Sequence, residues 1–413
     1  MRNFPHPFKA GLAICSDIDD CDLDTFIQLH RFLNSSRYGL GLPVADSFFA
    51  VCQDSKHLAY LNPDGSFRPR EAEFIGQAVR DGLVDSLHAW GDFNSAPPDP
   101  NFLQYVARKI IEDFTAKGLE IPAWINHGSP NNRQNLFARL CPLYQGDNPE
   151  SEYYTVPIIK ELGIKYFWNS EIVGWPLSTI RTRFFPEMFN RISRNAVKNC
   201  VKFLIGRSSY CRSSRDVTQL AQAVKLRDGN FLISFNRFSS GPDGQTIWEP
   251  SRHTLRFSLA ESVLKNLVKE QGYLIIYTHL AKPAPRENDL FPPEDIKALR
   301  MLADYYHQGK IWVTPTSRLL DYWLASRFLQ WKVRQENDFF IIDLGMLNHP
   351  IHGPRLPVFK DLAGLNFLTP EPLKTVVRLK GEDLPTKIFP VDETGLASVG
   401  FDVVVPDSQL VEV

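Results

Sequence analysis

Five aspartates fall within the eight residues 17–24, in "CSDIDDCDLD", directly after the apolar run "AGLAIC". Carboxylates this close raise one another's pKa unless a cation or a hydrogen-bond network offsets the repulsion. Further on, His88 and Asp92 stand four apart in "HAWGD", a spacing that puts two side chains on one face of a helical turn. Joined to a carboxylate from the aspartate run, that pair makes three N/O ligands with a position left open for water. This is the arrangement of a catalytic zinc or similar divalent cation.

These residues belong to a recurring pattern of elements. Short apolar runs ("AGLAIC", "DSFFAVC", "VDSLHAW", "IPAWIN", "IKYFWN", "NFLISFN", "YLIIYTH", "KIWVTP") alternate with amphipathic stretches such as "REAEFIGQAVRDGL" and "PEDIKALRMLADYYHQG". Seven or eight β-then-α units in series predict a parallel sheet, because parallel strands need crossover connections. So many units favour a closed or nearly closed (β/α) barrel over residues 1–328. From residue 329 the runs are β-type and separated by Pro, Gly and Asn/Asp, as in "WKVRQENDFFIIDLG", "KTVVRLKG", "TKIFPVD" and "FDVVVP". Residues 329–413 therefore read as a small antiparallel β domain, sandwich-like.

In a (β/α) barrel the reactive groups gather at the C-terminal strand ends. Asp17, Asp19 and Asp20 follow the first run, and His88 and Asp92 the third. Asn126, His127 and Gly128 follow the fourth run; Asn169 and Glu171 follow the fifth, with Trp175 nearby. Asn236 and Arg237 close the sixth and His279 the seventh.

With those residues in view, the chain resembles the metal-dependent polysaccharide deacetylases over roughly residues 9–325. "SDIDD" resembles their Thr-Phe-Asp-Asp motif, which implies Asp19 as catalytic base and Asp20 as metal ligand. His88 and Asp92 stand where the family has two histidine ligands, with a carboxylate replacing the second. "LIIYTHL" offers His279 as the acid that protonates the leaving amine. "KELGIKYFWNSEIVGW" resembles the segment lining the acetyl pocket, with Trp175 in place. The chain departs at the third motif: "AWINHG" puts Trp124, Asn126 and His127 where the family has an arginine, a role open to Arg237 from another strand. The resemblance implies hydrolysis of an N-acetyl or related acyl group on a carbohydrate. It needs a divalent cation such as zinc, with Trp124, Asn126, His127, Asn169, Glu171, Trp175 and Arg237 at the substrate.

Two other readings use the same residues. A haloacid-dehalogenase-type phosphatase would take Asp17 as nucleophile and Asp19 as acid/base, but leaves His88 and His279 without a role. A catalytically lapsed barrel would bind glycans through its aromatics, which make up 12% of the 413 residues. The formal net charge of −1 gives no bulk electrostatic basis for nucleic-acid binding. The six cysteines form no C-x-x-C pair, which suits thiols in a reducing compartment. No signal peptide or membrane span is evident, so a cytoplasmic protein is expected. Asp22 and Asp24 read as the start of a helix. Asp20, Asp22 and Asp24 alternate as in a calcium loop, but Thr25 and Arg31 at the positions that require Gly and Glu argue against one. Between Arg181 and Arg215 stand nine basic residues and one acid, Glu187, a run that reads as a solvated insertion.

Overall fold

In a computed structural model, the chain is described for residues 1–52, 57–138, 141–173, 220–242, 244–282 and 290–412. Trp175 and the basic run Arg181–Arg215 lie outside the described residues. Each of the eight apolar runs forms a strand: β1 (Ala10–Ser16), β2 (Asp46–Val51), β4 (Val84–His88), β5 (Ala123–Ile125), β6 (Tyr166–Val173), β8 (Phe231–Phe238), β9 (Tyr273–Thr278) and β10 (Ile311–Val313). Two short strands, β3 (Ala59–Leu61) and β7 (Ala221–Lys225), complete a ten-stranded sheet among the described residues. Its order is β10-β1-β9-β8-β6-β5-β4-β2-β3, parallel throughout, with β7 antiparallel on β8. Helices cross over between the strands. Among them are α1 (Leu23–Asn34), α2 (Pro69–Asp81), α3 (Pro100–Ala116) and α4 (Val156–Glu161), then Glu261–Lys269, Pro293–His307 and Thr316–Phe328.

Alternation along the strands sorts side chains between two apolar clusters, because successive strand residues point to opposite faces. On β1, Ala10, Leu12 and Ile14 join the cluster under the helices, together with Ile18 just beyond the strand, while Ala13 and Cys15 point to the opposite, inner face. Ala123 and Ile125, Tyr166 and Trp168, Ile233 and Phe235, and Ile275 and Tyr277 share that inner face.

The two sides of the sheet approach where β1 passes β2. Cys15 makes an isolated parallel bridge to Ala45, and Ser47 Oγ donates to the Ser16 carbonyl at 3.0 Å. Continuous pairing is prevented because β10 already occupies that edge of β1 over Ala10–Leu12. The Ser317 N–H at the start of helix Thr316–Phe328 donates to the buried Asp85 carboxylate on β4 at 2.8 Å. The architecture is thus a large, mostly parallel sheet flanked by helices.

Smaller sheets follow from Leu329, as the change in sequence character predicts. β11 (Leu329–Glu336) and β12 (Phe339–His349) form a hairpin, extended by β13 (Gly353–Arg355), β15 (Thr375–Leu379) and β16 (Glu382–Asp383). β14 (Asn366–Thr369), β17 (Lys387–Phe389) and β18 (Ala397–Gly400) form a second sheet. Not all of this is antiparallel, since β15 runs parallel to β12. The "FDVVVP" run is not a strand. Val404 and Val405 are exposed there, and the tail continues to α2, where the Asp407 N–H donates to the Asp81 carbonyl and Val411 is buried. Among the described residues only its first two meet a neighbouring backbone, the Phe401 N–H donating to the Leu365 carbonyl at 3.0 Å and the Asp402 carbonyl accepting from the Gly364 N–H at 2.9 Å.

Candidate metal centre

The inner-face parity of each strand runs on past its C-terminal end, and this selects the site. Asp17 and Asp19 continue Ala13 and Cys15; His127 continues Ala123 and Ile125; Arg237 continues Ile233 and Phe235; His279 continues Ile275 and Tyr277. His88 ends β4. Together these residues form a buried cluster of carboxylates and imidazoles.

Asp19 lies at its middle. One carboxylate oxygen is 3.2 Å from His279 Nε2 and 3.9 Å from His88 Nε2; the other is 3.9 Å from His127 Nδ1. Burial opposes ionisation of Asp19, but His127 and the His279 hydrogen bond outweigh it and hold the carboxyl well below its usual range. Asp17 lies deeper. Arg237 grips both of its oxygens, at 2.5 and 3.1 Å, and the guanidinium carbon sits 3.4 Å from the Trp168 ring centroid and 3.7 Å from that of Tyr277. Burial again opposes ionisation, and Arg237 with His88 overcomes it, so Asp17 also titrates below its usual value.

The histidines have fixed ring orientations. His279 Nδ1 meets the Pro250 carbonyl at 2.6 Å, an acceptor that needs a proton on Nδ1 and leaves Nε2 to face Asp19 and Asp17. Burial depresses its pKa, but Asp19 and Asp17 prevail and the net shift is upward. His127 Nε2 meets an Asp92 oxygen at 3.1 Å, so Nε2 carries a proton and Nδ1 faces inward. His127 is likewise raised, the Asp19 charge and the Asp92 hydrogen bond outweighing burial. His88 is pushed down to about 4, chiefly by burial.

A proton count tests whether a cation fits. His88 Nδ1 lies 3.5 Å from an Asp17 oxygen and makes no hydrogen bond. Its Nε2 faces His127 Nδ1 at 2.7 Å, a contact that needs a proton or a cation between the two nitrogens. The raised pKa of His127 supplies that proton, and a bound cation would take its place. One carboxylate oxygen from Asp19 and one nitrogen from each of His88 and His127 lie within 4.8 Å of one another. This donor set suits a zinc-like divalent cation. Asp17, Asp19 and His279 form a second group of the same kind. There the Arg237 cation already neutralises Asp17, so the group is better suited to holding and moving a proton.

The ligand set Asp20, His88 and Asp92 is not assembled. Asp20 is exposed in a left-handed turn (φ 59°) and belongs to neither metal-capable group among the described residues. Its even position puts it off the inner parity. Asp92 reaches the cluster only through the outer nitrogen of His127. Trp124 also falls off parity: it is fully buried with its indole edge-on to Trp90 and donates to Asn126 Oδ1 at 2.9 Å, so it offers no face to a sugar. Asn126 in turn pins the Leu136 backbone, donating to its carbonyl and accepting from its N–H, both at 3.0 Å. Asn169 accepts from the Glu171 N–H at 2.9 Å within a bulge of β6 around Ser170 (φ 68°), and neither residue is in the metal-capable groups. Asp22 caps α1 as expected, accepting from the Thr25 N–H at 2.7 Å.

Several contributors were not singled out from sequence. Asn135 clamps the His127 main chain, donating to its carbonyl at 2.6 Å and accepting from its N–H at 3.2 Å. Pro250 orients His279, and Trp168 with Tyr277 encloses Arg237. The parity of β1 was the available signal for preferring Asp17 and Asp19 to Asp20; no local pattern marks Asn135 or Pro250. No helix among the described residues is long and apolar enough to cross a membrane. Comparison with protein-family models, curated proteins and solved structures finds no match to this chain.

Proposed function

We propose that this chain is a metal-dependent hydrolase that removes an N-acetyl or related acyl group from a carbohydrate, working at the C-terminal strand ends of a (β/α) barrel with a seam between β1 and β2. The observation that carries the metal-dependent part is the Asp19, His88 and His127 donor set beside an arginine-clamped Asp17. The carbohydrate amide rests on the order of strand-end motifs, in which an aspartate run, a histidine segment and a late Leu-His follow one another as in the polysaccharide deacetylases.

Asp19, His88 and His127 would hold the cation, and the base role passes from Asp19 to Asp17. A cation held there would lower the pKa of water and polarise an acyl carbonyl. Asp17, kept ionised by Arg237, takes a proton from the water that attacks the acyl carbon. As the C–N bond breaks, the electron pair leaves with nitrogen and His279 donates it a proton. Its raised pKa keeps that proton available near neutrality. The products are a carboxylate and a free amine.

The phosphatase alternative fits less well, because it leaves without a role the His88 and His279 imidazoles that face Asp17 and Asp19. Elemental analysis of the purified chain, with acetate and phosphate release measured on N-acetylated sugars and phosphomonoesters, tests the proposal. Bound metal and metal-dependent acetate release are expected. Acetate release at the wild-type rate by metal-free Asp19→Ala would sink it, and tight saccharide binding without metal would favour the lapsed barrel.

A further inference from the structure

We propose that Asp92 is a positioning residue for the metal centre, fixing His127 in the tautomer that leaves Nδ1 free to ligate. This inference rests on the metal-centre reading above. It assigns to Asp92 a task other than ligation, and the two tasks can be told apart.

The argument starts from the two nitrogens of one ring. His127 Nδ1 faces His88 Nε2 at 2.7 Å and Asp19 at 3.9 Å, while Nε2 faces Asp92 at 3.1 Å. The nitrogens of an imidazole point in divergent directions, so a carboxylate on Nε2 does not share an ion with Nδ1. It accepts the Nε2 proton instead and thereby selects the tautomer. The Asn94 amide also approaches Nε2, at 3.4 Å, and the shorter, charged contact to Asp92 decides where the proton points.

The loop that carries Asp92 is built to keep it there. Ala89 adopts a left-handed conformation (φ 52°) immediately after His88, turning the chain at the strand end. Gly91 bridges Val51, and a Cβ there would stand 2.5 Å from the Val51 carbonyl oxygen, so only glycine allows the approach. Trp90 is anchored by its Nε1 donating to Thr155 Oγ1 at 2.6 Å. The next residue, Phe93, donates its N–H to Asn132 Oδ1 at 3.2 Å, tying the Asp92 loop to the one that bears His127. With Asn135 holding the His127 backbone on the other side, the ring is constrained from both directions.

Cobalt(II) binding to the full chain tests this. The metal-stripped wild type, Asp92→Ala, Asp92→Asn and Asp19→Ala are titrated with Co2+ against a competing chelator, and the visible spectrum at saturation is recorded for each. Asp92→Ala should bind about 10–100-fold more weakly, the range for loss of an orienting carboxylate. Its saturated spectrum should match the wild type, since the ligand atoms are the same. Asp92→Asn, whose amide oxygen still accepts the Nε2 proton, should recover part of that loss. Wild-type affinity in Asp92→Ala would overturn the proposal, as would a saturated spectrum altered in the way that Asp19→Ala alters it. If Asp92→Ala does not fold, Asp92→Asn decides, with an affinity equal to wild type counting against. A wild type that binds no cobalt defeats the metal-centre reading itself, whereas a wild type that binds beside an unaffected Asp92→Ala defeats only the role given to Asp92.

Discussion

Replacing Arg237 with methionine would strand the Asp17 carboxylate in the interior without its counter-ion. Arg237 is fully buried, bonds both Asp17 oxygens and is enclosed between the Trp168 and Tyr277 rings. Removing one partner of a buried ion pair costs about 3–5 kcal/mol, a large part of the roughly 5–15 kcal/mol that holds a domain folded. The cost must vary with pH, and the linkage fixes its sign. In the wild type the folded-state pKa of Asp17 is depressed, so the pair's contribution is complete above the unfolded value of about 3.9 and is lost as pH falls through the lower folded value. In the variant, burial without the arginine raises the Asp17 pKa. The variant therefore relieves its own strain by taking up a proton as pH falls. The stability gap between the two proteins should be widest near neutrality and narrow towards about pH 4. Urea unfolding followed by the fluorescence of the eight tryptophans measures it at each pH. Because His88 and His279 also face Asp17, the Asp17→Asn/Arg237→Met double variant serves as reference, and it should be more stable near neutrality than Arg237→Met alone. A gap below about 1 kcal/mol at neutral pH, the size expected of an exposed pair, or a gap that widened on acidification, would refute the reasoning.

Asp19→Ala and His88→Ala should each lose metal on dialysis, while Asp20→Ala, exposed and outside the cluster, keeps wild-type metal content and activity. Adding Zn2+ at about 100 times its dissociation constant should stabilise the wild type by about 2.7 kcal/mol in a thermal or urea melt and leave Asp19→Ala unchanged. His279→Gln should lower kcat by about 10²–10⁴-fold with metal content intact, the separation expected of a proton donor that is not a ligand. Asn135→Ala strips two hydrogen bonds from the buried His127 backbone and should destabilise the protein by about 1–3 kcal/mol, read from the urea midpoint.

The order of strands and helices was written in the chain. Each of the eight apolar runs became a strand, and the break at Leu329 marks where the smaller sheets begin, because apolar periodicity and punctuation by Gly and Pro act locally. The strand ends that carry chemistry were also legible, since polar residues closing an apolar run stand out without any knowledge of their neighbours. Which of those residues meet was decided by the tertiary structure. Asp19 and Asp20 are adjacent and chemically alike, yet only Asp19 continues the face of Ala13 and Cys15 that turns inward. His127, placed at the substrate from sequence, joins the metal-capable group because β5 pairs beside β4 and brings it to His88. Arg237 reaches Asp17 across 220 residues of sequence, and Asp92 meets His127 from a different strand end. Residue type and spacing set what each group is able to do; strand parity and the order of strands in the sheet determine which groups share a charge, a proton or an ion, and those are properties of packing between distant segments.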